Sequence, residues 1–139
     1  MQLDIKEQSL ILEGKKYSRK ELMSLSANAT GDNTSSFLLD LYRFLADWFS
    51  DSPFMTVHTS GSTGTPKVLT VRKEQMMQSA RMTCEFLNLH TGDTALLCMP
   101  LQYIAGKMMV VRALVAGLNL ILRTPSGHPL ADVTVPLRF

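Results

Sequence analysis

Between Thr94 and Leu122 two short apolar runs, TALLCM and LNLIL, flank a longer apolar stretch, IAGKMMVVRALVA. No other feature narrows the choice of fold as much. The first run is short enough for a strand covered on both faces, and Pro100 closes it. Ile104 to Ala116 reads as a helix, with Gly117 as its stop and Leu118 to Leu122 as the next buried strand. Strand, helix, strand in that order is a crossover unit, and a crossover joins parallel neighbours. The expected class is therefore α/β, a largely parallel sheet flanked by helices.

The same pattern extends upstream. Phe54 to Thr59 and Val68 to Arg72 are expected as strands, and Lys73 to Leu89 as a helix with Met76, Met77, Ala80, Cys84 and Leu87 on one side. Taken with the crossover unit, this places Val68 to Arg72 in the parallel sheet. His90 to Asp93 is a turn. Nearer the start, Gln2 to Lys6 and Ser9 to Glu13 read as two strands, and Glu-Gly-Lys-Lys interrupts the pattern. Ser18 and Glu21 match a capping box, so a helix is expected from Arg19 to about Ala27. Asn28 to Ser36 is a polar loop. Phe37, Leu38, Leu41, Phe44, Leu45, Trp48 and Phe49 recur at helical spacing, a stripe better suited to core packing than to a cofactor. Ser50 to Pro53 ends that helix. These readings divide the chain into a leader hairpin and helices (1–53), a loop and α/β core (54–123), and the truncated start of a further element (124–139).

Totals exclude several classes. A chain of 139 residues, 45% hydrophobic and 19% charged, suits one globular domain with no need of a metal or disulfide staple. A net charge of +2, with scattered Lys and Arg, argues against nucleic acid and against an anionic membrane. Met108 to Leu122 is broken by Arg112, Gly117 and Asn119, too polar to span a bilayer. MQLDIKEQ has no apolar signal region. Cys84 and Cys98 lack metal-ligand spacing and read as buried free thiols of a reduced compartment. The expectation is a soluble, cytoplasmic chain with no metal site of its own.

The chemistry gathers in HTSGSTGTPKVL, His58 to Leu69. Gly61 and Gly64 permit positive φ angles and close approach to a ligand. Successive amides in such a turn form an anion-binding nest. Ser60, Ser62, Thr63 and Thr65 add hydroxyl donors, and Lys67 adds a charge that reaches a β- or γ-phosphate. Pro66 restricts the loop ahead of that lysine. A Walker A loop is excluded, because Gly64 is followed by Thr-Pro-Lys and then a strand rather than a helix. A Rossmann G-x-G-x-x-G is absent, and a helix stands where a kinase loop needs a third strand. His58 abuts the loop; a strand-end histidine satisfied by backbone is the expectation there. His90 and His128 sit in turns and receive no role.

TSGSTGTPK, Thr59 to Lys67, resembles the phosphate-binding signature of the adenylate-forming superfamily, which comprises acyl-CoA synthetases, peptide-synthetase adenylation domains and luciferases. MPLQYIAGKMMVVRALVAG, Met99 to Gly117, resembles the superfamily's P-L-[aromatic]-H-x-x-G segment and the helix after it. Thr91 to Asp93 and the strand into Pro100 fit the same layout. Within the superfamily the resemblance leans to the o-succinylbenzoate–CoA ligases of menaquinone biosynthesis, because the phosphate loop starts as early as Thr59. It implies ATP, Mg²⁺ and CoA as cofactor and co-substrates and a small-molecule acid as partner. Thr59, Ser60, Gly61, Ser62, Thr63, Gly64, Thr65 and Lys67 would hold the β- and γ-phosphates, with Ser60, Thr63 and Lys67 as the main side-chain contacts. Tyr103, Gly106 and Lys107 would line the acyl pocket, with Lys107 or Arg112 meeting a second carboxylate. The chain departs from the pattern at Tyr103, where the superfamily has His. The resemblance further implies that the catalytic groups and the metal and ribose ligands belong to later segments that this sequence does not contain. A different aryl or fatty acid, a phosphate-binding module without chemistry, and a plain hairpin are the alternatives.

Overall fold

A four-stranded sheet and a separate two-stranded hairpin share one buried helix in the computed structural model, which describes residues 1–29, 35–59 and 67–123. The elements in chain order are β1 (Ser9–Leu12), β2 (Lys15–Ser18), α1 (Arg19–Asn28), α2 (Ser36–Trp48), β3 (Phe54–Thr59), β4 (Lys67–Arg72), α3 (Lys73–Phe86), β5 (Thr94–Leu97), α4 (Ile104–Ala116) and β6 (Asn119–Leu122). The larger sheet has the order β2-β1-β6-β5. β6 runs parallel to both β1 and β5, and β2 is antiparallel to β1. The mixed α/β class with a mostly parallel sheet is as the sequence implies.

β5, α4 and β6 form the expected crossover, in a register that pairs Ala95 with Leu120 and Leu97 with Leu122. The apolar composition of α4 has a plain cause. The helix packs against β1, β5 and β6, and also against α3 and β3, so Met108 to Val111 and Ala113 to Ala116 are all buried. Gly117 ends it in the left-handed region at φ 72°, with its amide donating to Ala113. That turn is then tied back to the loop before β5: the amide of Gly92 donates to Gly117 O (2.8 Å) and that of Asn119 to Asp93 O (2.8 Å).

Two expectations are corrected here. β4 does not join the parallel sheet; it pairs antiparallel with β3 in a sheet of two strands. Its residues are mostly exposed, whereas an inner strand of a parallel sheet is covered on both faces. α3 therefore links the two sheets, and the second parallel neighbour of β6 comes from the chain start. Gln2 to Lys6 is not a strand either. The Asp4 carboxylate accepts from the Lys6 amide (3.1 Å) and turns Ile5–Glu7 into one 3₁₀ turn. The leader hairpin is instead β1 with β2, closed by Glu13 and Gly14, both at positive φ (50° and 85°). These angles suit a two-residue type I′ turn. Asn119 Oδ1 accepts from the Gly14 amide (2.8 Å), and the Glu13 carboxylate accepts from the Leu122 amide (2.8 Å) and Arg123 (2.9 Å).

The helices follow their caps. Ser18 and Glu21 form the capping box that starts α1, and Ser35 caps α2. Phe37, Leu41, Phe44, Leu45 and Trp48 bury the expected stripe, and the rings of Phe44 and Trp48 stack 6.0 Å apart. Trp48 Nε1 donates to buried Gln8 Oε1 (2.9 Å), which spares both a lone polar atom in the core. No helix among the described residues is long and apolar enough to cross a membrane.

Lys73 opens α3 and is only 2% exposed, which the hydrophobic pattern gives no hint of. Its ammonium donates to Ser50 O (3.0 Å) and Ser50 Oγ (3.3 Å). Burial lowers its pKa, against the opposing pull of Asp47 and Asp51. The unfolded chain then binds this proton more tightly, so stability rises with pH in the window just below the ordinary lysine value and falls back as pH drops through the folded value. Urea unfolding at stepped pH should show this rise in the native chain and a flatter curve in Lys73→Met. At Gly117, substitution by Ala forces a side chain into the left-handed region beside Thr91, whose Cγ2 lies 3.1 Å from a built Cβ. A loss of about 1–2 kcal/mol is expected on urea unfolding.

Candidate functional site

β3 and β4 stay in register to their ends: Val57 faces Leu69, His58 faces Val68 and Thr59 faces Lys67. A seven-residue connection, 60–66, therefore springs from a closed ladder, which is the strand–loop–strand arrangement implied by the sequence. Ser60, Gly61, Ser62, Thr63, Gly64 and Thr65, the heart of the expected phosphate site, lie outside the described residues. Lys67 sits at the first rung of β4 and is exposed. Strand alternation puts it on the ladder face of Val57 and Leu69, opposite the face of His58, Val68 and Thr70. Its charge needs only a short reach to the ground beyond the last rung.

The second motif meets the first at this point. His58 forms an isolated parallel bridge with Tyr103, which joins the turn after β5 to the strand that feeds the loop. Tyr103 is also the N-cap of α4 and is half-buried. Its place is fixed from below. Gly106 is buried, and a Cβ there would collide with the Pro100 carbonyl and approach Met99 O to 3.1 Å. The proline-to-glycine spacing thus lets the first turn of α4 lie directly on the chain leaving β5. Among the described residues Gly106 has this packing role.

Lys107 and Arg112, the two cations considered for an acid's second carboxylate, are both turned to the protein. Lys107 Nζ donates to Leu101 O (2.5 Å). It borders a cavity of about 200 Å³ walled by Asp40, Asp47, Thr56 and Gln102, among others. Burial lowers its pKa, while Asp47 and Asp40 oppose the shift. Arg112 is half-buried on α4, with Met109 Sδ 3.5 Å from its guanidinium, and burial lowers its pKa as well. Buried Cys84 is beside it, and burial raises that thiol's pKa. Cys98, expected to be buried, is only half-buried. The His58 Nδ1 is shielded from water and has no hydrogen-bond partner among the described residues.

Residues 3–136 match the family described as AMP-binding enzyme. The chain belongs to that family. A curated relative, 2-succinylbenzoate–CoA ligase of Enterococcus faecalis, is 39% identical over 64 residues, covering 46% of this chain and 13% of its own length. Among solved structures, an acyl-CoA synthetase (AMP-forming)/AMP-acid ligase II-like protein from Dyadobacter fermentans superposes with a TM-score of 0.68 at 35% identity. That match covers 80% of this chain and 31% of the other. The chain therefore spans about a third or less of the length of these relatives.

His58, which precedes the loop, and Tyr103, of the second motif, are far apart in sequence and adjacent in the fold. Sequence reasoning missed the inward engagement of Lys107. The signal was its position four residues after Tyr103 and one after a glycine, which places it over the turn it holds. Gly106→Ala should cost about 2–3 kcal/mol or more on urea unfolding, since the obstacle is backbone rather than a movable side chain. Its loss should exceed that of Ala105→Gly on the exposed side of the same turn.

Proposed function

We propose that this chain forms the phosphate-binding and acyl-pocket part of an ATP-dependent acid–CoA ligase. One observation carries the reading: His58, on the last rungs of the closed β3–β4 ladder from which the Ser-Thr-Gly segment departs, bridges to Tyr103. In this reading the nucleotide's phosphates and the acid meet there. A carboxylate is a poor electrophile because its leaving group is an oxide. Attack of its oxygen on the α-phosphorus of ATP forms the P–O bond of an acyl-adenylate and breaks the bond to pyrophosphate. CoA thiol then displaces AMP, giving the thioester. Negative charge moves onto the departing phosphates in the first step, and donors aimed at them lower its barrier.

In this reading Thr59 through Thr65 and Lys67 hold the β- and γ-phosphates, with Ser60, Thr63 and Lys67 as the chief side chains. Mg²⁺ would accompany the nucleotide, with its protein ligands assigned mostly to segments outside this chain. Tyr103 offers an aryl acid a ring face and a hydroxyl, and Gly106 and Lys107 shape the pocket wall beneath it. The acid is o-succinylbenzoate, as the name of the Enterococcus faecalis relative suggests, and the route is menaquinone biosynthesis in the cytoplasm, where ATP and CoA are at hand. The division into a leader (1–53), a loop and core (54–123) and the start of a further element (124–139) belongs to the same proposal. Groups that bind ribose and metal and complete the chemistry are assigned to segments beyond this sequence.

The purified 139-residue chain should release no pyrophosphate from ATP in a coupled assay with acid present; sustained turnover would refute the division of labour. In a complete ligase carrying this segment, Lys67→Ala and Gly64→Ala should each lower adenylation by about a hundredfold, read as ATP–pyrophosphate exchange. Unchanged exchange in both would remove the phosphate assignment.

A further inference from the structure

The acyl pocket proposed above contains a lysine, and its geometry does not suit the obvious task. A lysine that anchors a ligand carboxylate needs free donors and a positive local field. Lys107 has neither in full. It is half-buried, its Nζ donates to Leu101 O, and the Asp40 and Asp47 carboxylates of α2 act on it from the neighbouring helix. An entering anion would meet those two carboxylates in the same small cavity.

The same contacts give the lysine another use. Leu101 is buried at the middle of the turn between β5 and α4. The turn is held at three points. The Tyr103 amide points back to Pro100 O (3.4 Å), the Lys107 amide donates to Tyr103 O (3.2 Å), and the Lys107 ammonium holds Leu101 O. The first of these is long, so the charged bond is the strongest of the set. Gly106 allows the helix to sit close enough for it. The far side of the turn is the bridge from Tyr103 to His58.

We propose that Lys107 is a positioning residue: it sets Tyr103 beside β3 by pinning the Leu101 carbonyl. It shapes the acyl pocket and does not bind the acid's charge. The inference rests on Tyr103 facing the acid, and the test separates the two claims.

Benzoate and uncharged benzamide serve as probes, titrated into the full 139-residue chain and followed by amide and aromatic NMR shifts. Hydrogen exchange at the Tyr103 amide is measured in parallel. Lys107→Met should weaken both probes by the same factor, about tenfold, and should speed exchange at Tyr103. Lys107→Arg, which keeps the charge and donors, should restore most of both effects. Lys107→Gln, with a neutral donor, should fall between them and serves if the Met variant does not fold.

Loss of benzoate with benzamide unchanged would make Lys107 a direct anion anchor and overturn the proposal. Unchanged exchange at Tyr103 in the Met variant would overturn it too, whatever the probes do. Tyr103→Ala tests the pocket itself. If that change leaves both affinities intact, or if neither probe binds, the acyl-pocket reading fails. The exchange data and the Arg rescue then still decide whether Lys107 holds the turn.

Discussion

The close approach of Gly106 to the Pro100 carbonyl is the contact on which the rest of the site depends. Without a Cβ, α4 can begin on top of the chain leaving β5. Three consequences follow from that seat. Lys107 comes within reach of Leu101 O, Tyr103 becomes the N-cap of α4, and its backbone meets His58 on β3. A bulkier residue would lift the helix from the turn and separate the hairpin from the parallel sheet. The crossover unit that organises the core thus also determines where the loop-bearing hairpin lies.

Two lysines withdrawn from water share one electrostatic surrounding. Lys73 and Lys107 lie on different helices, each donates to a backbone carbonyl, and each is influenced by Asp47. Burying an ammonium is unfavourable unless donors are spent and opposite charge is near. Asp47 is exposed near the end of α2, so it supplies that charge while remaining solvated. Desolvation is the larger influence in both cases, since both pKa values move down despite the carboxylates. The result is a pair of polar ties, one from α3 to Ser50 and one within the Tyr103 turn. Apolar side chains would bury more cheaply in both places, but they would not fix a carbonyl in direction.

Much of this was legible in the residues. Phe54 to Thr59 and Ile104 to Ala116 have the bounds expected of them, because Pro53, the Ser-Gly loop and Gly117 mark their ends chemically. The Ser18–Glu21 box fixed the start of α1 for the same reason. What failed was pairing. KVLTVR looks like a strand wherever it is placed, and only its exposure in the folded chain shows that it belongs to a hairpin. Glu-Gly is a weaker turn signal than Asn-Gly, and it takes its positive φ angles with help from Asn119 and Leu122, more than a hundred residues away. Such partners are invisible to local reading. The same holds for Lys73 and Lys107, whose type argues for solvent and whose neighbours decide otherwise. For the site, the two motifs could be read singly, but their meeting at His58 and Tyr103 is a tertiary fact.

Burial is spread unevenly, and the unevenness bears on function. Most of α4 is buried, while β4 leaves Val68 62% and Leu69 44% exposed. Opening free energy follows such differences, being greatest where apolar contacts are dense. The hairpin is thus the less constrained partner, anchored at its base by buried Met55 and Val57 and by Arg72 stacked over Phe54 at 5.6 Å. Phosphate binding needs donors that can be brought around an anion without breaking a core. Under the proposed phosphate role, the far end of the ladder, where Lys67 is exposed at the last rung, suits that need. The proposed acid side of the site has the opposite requirement. A carboxylate must be aimed at one phosphorus atom, and aim needs a wall that does not move. Under the proposed acyl role, the turn seated on α4 supplies such a wall, and the bridge between His58 and Tyr103 joins it to the hairpin.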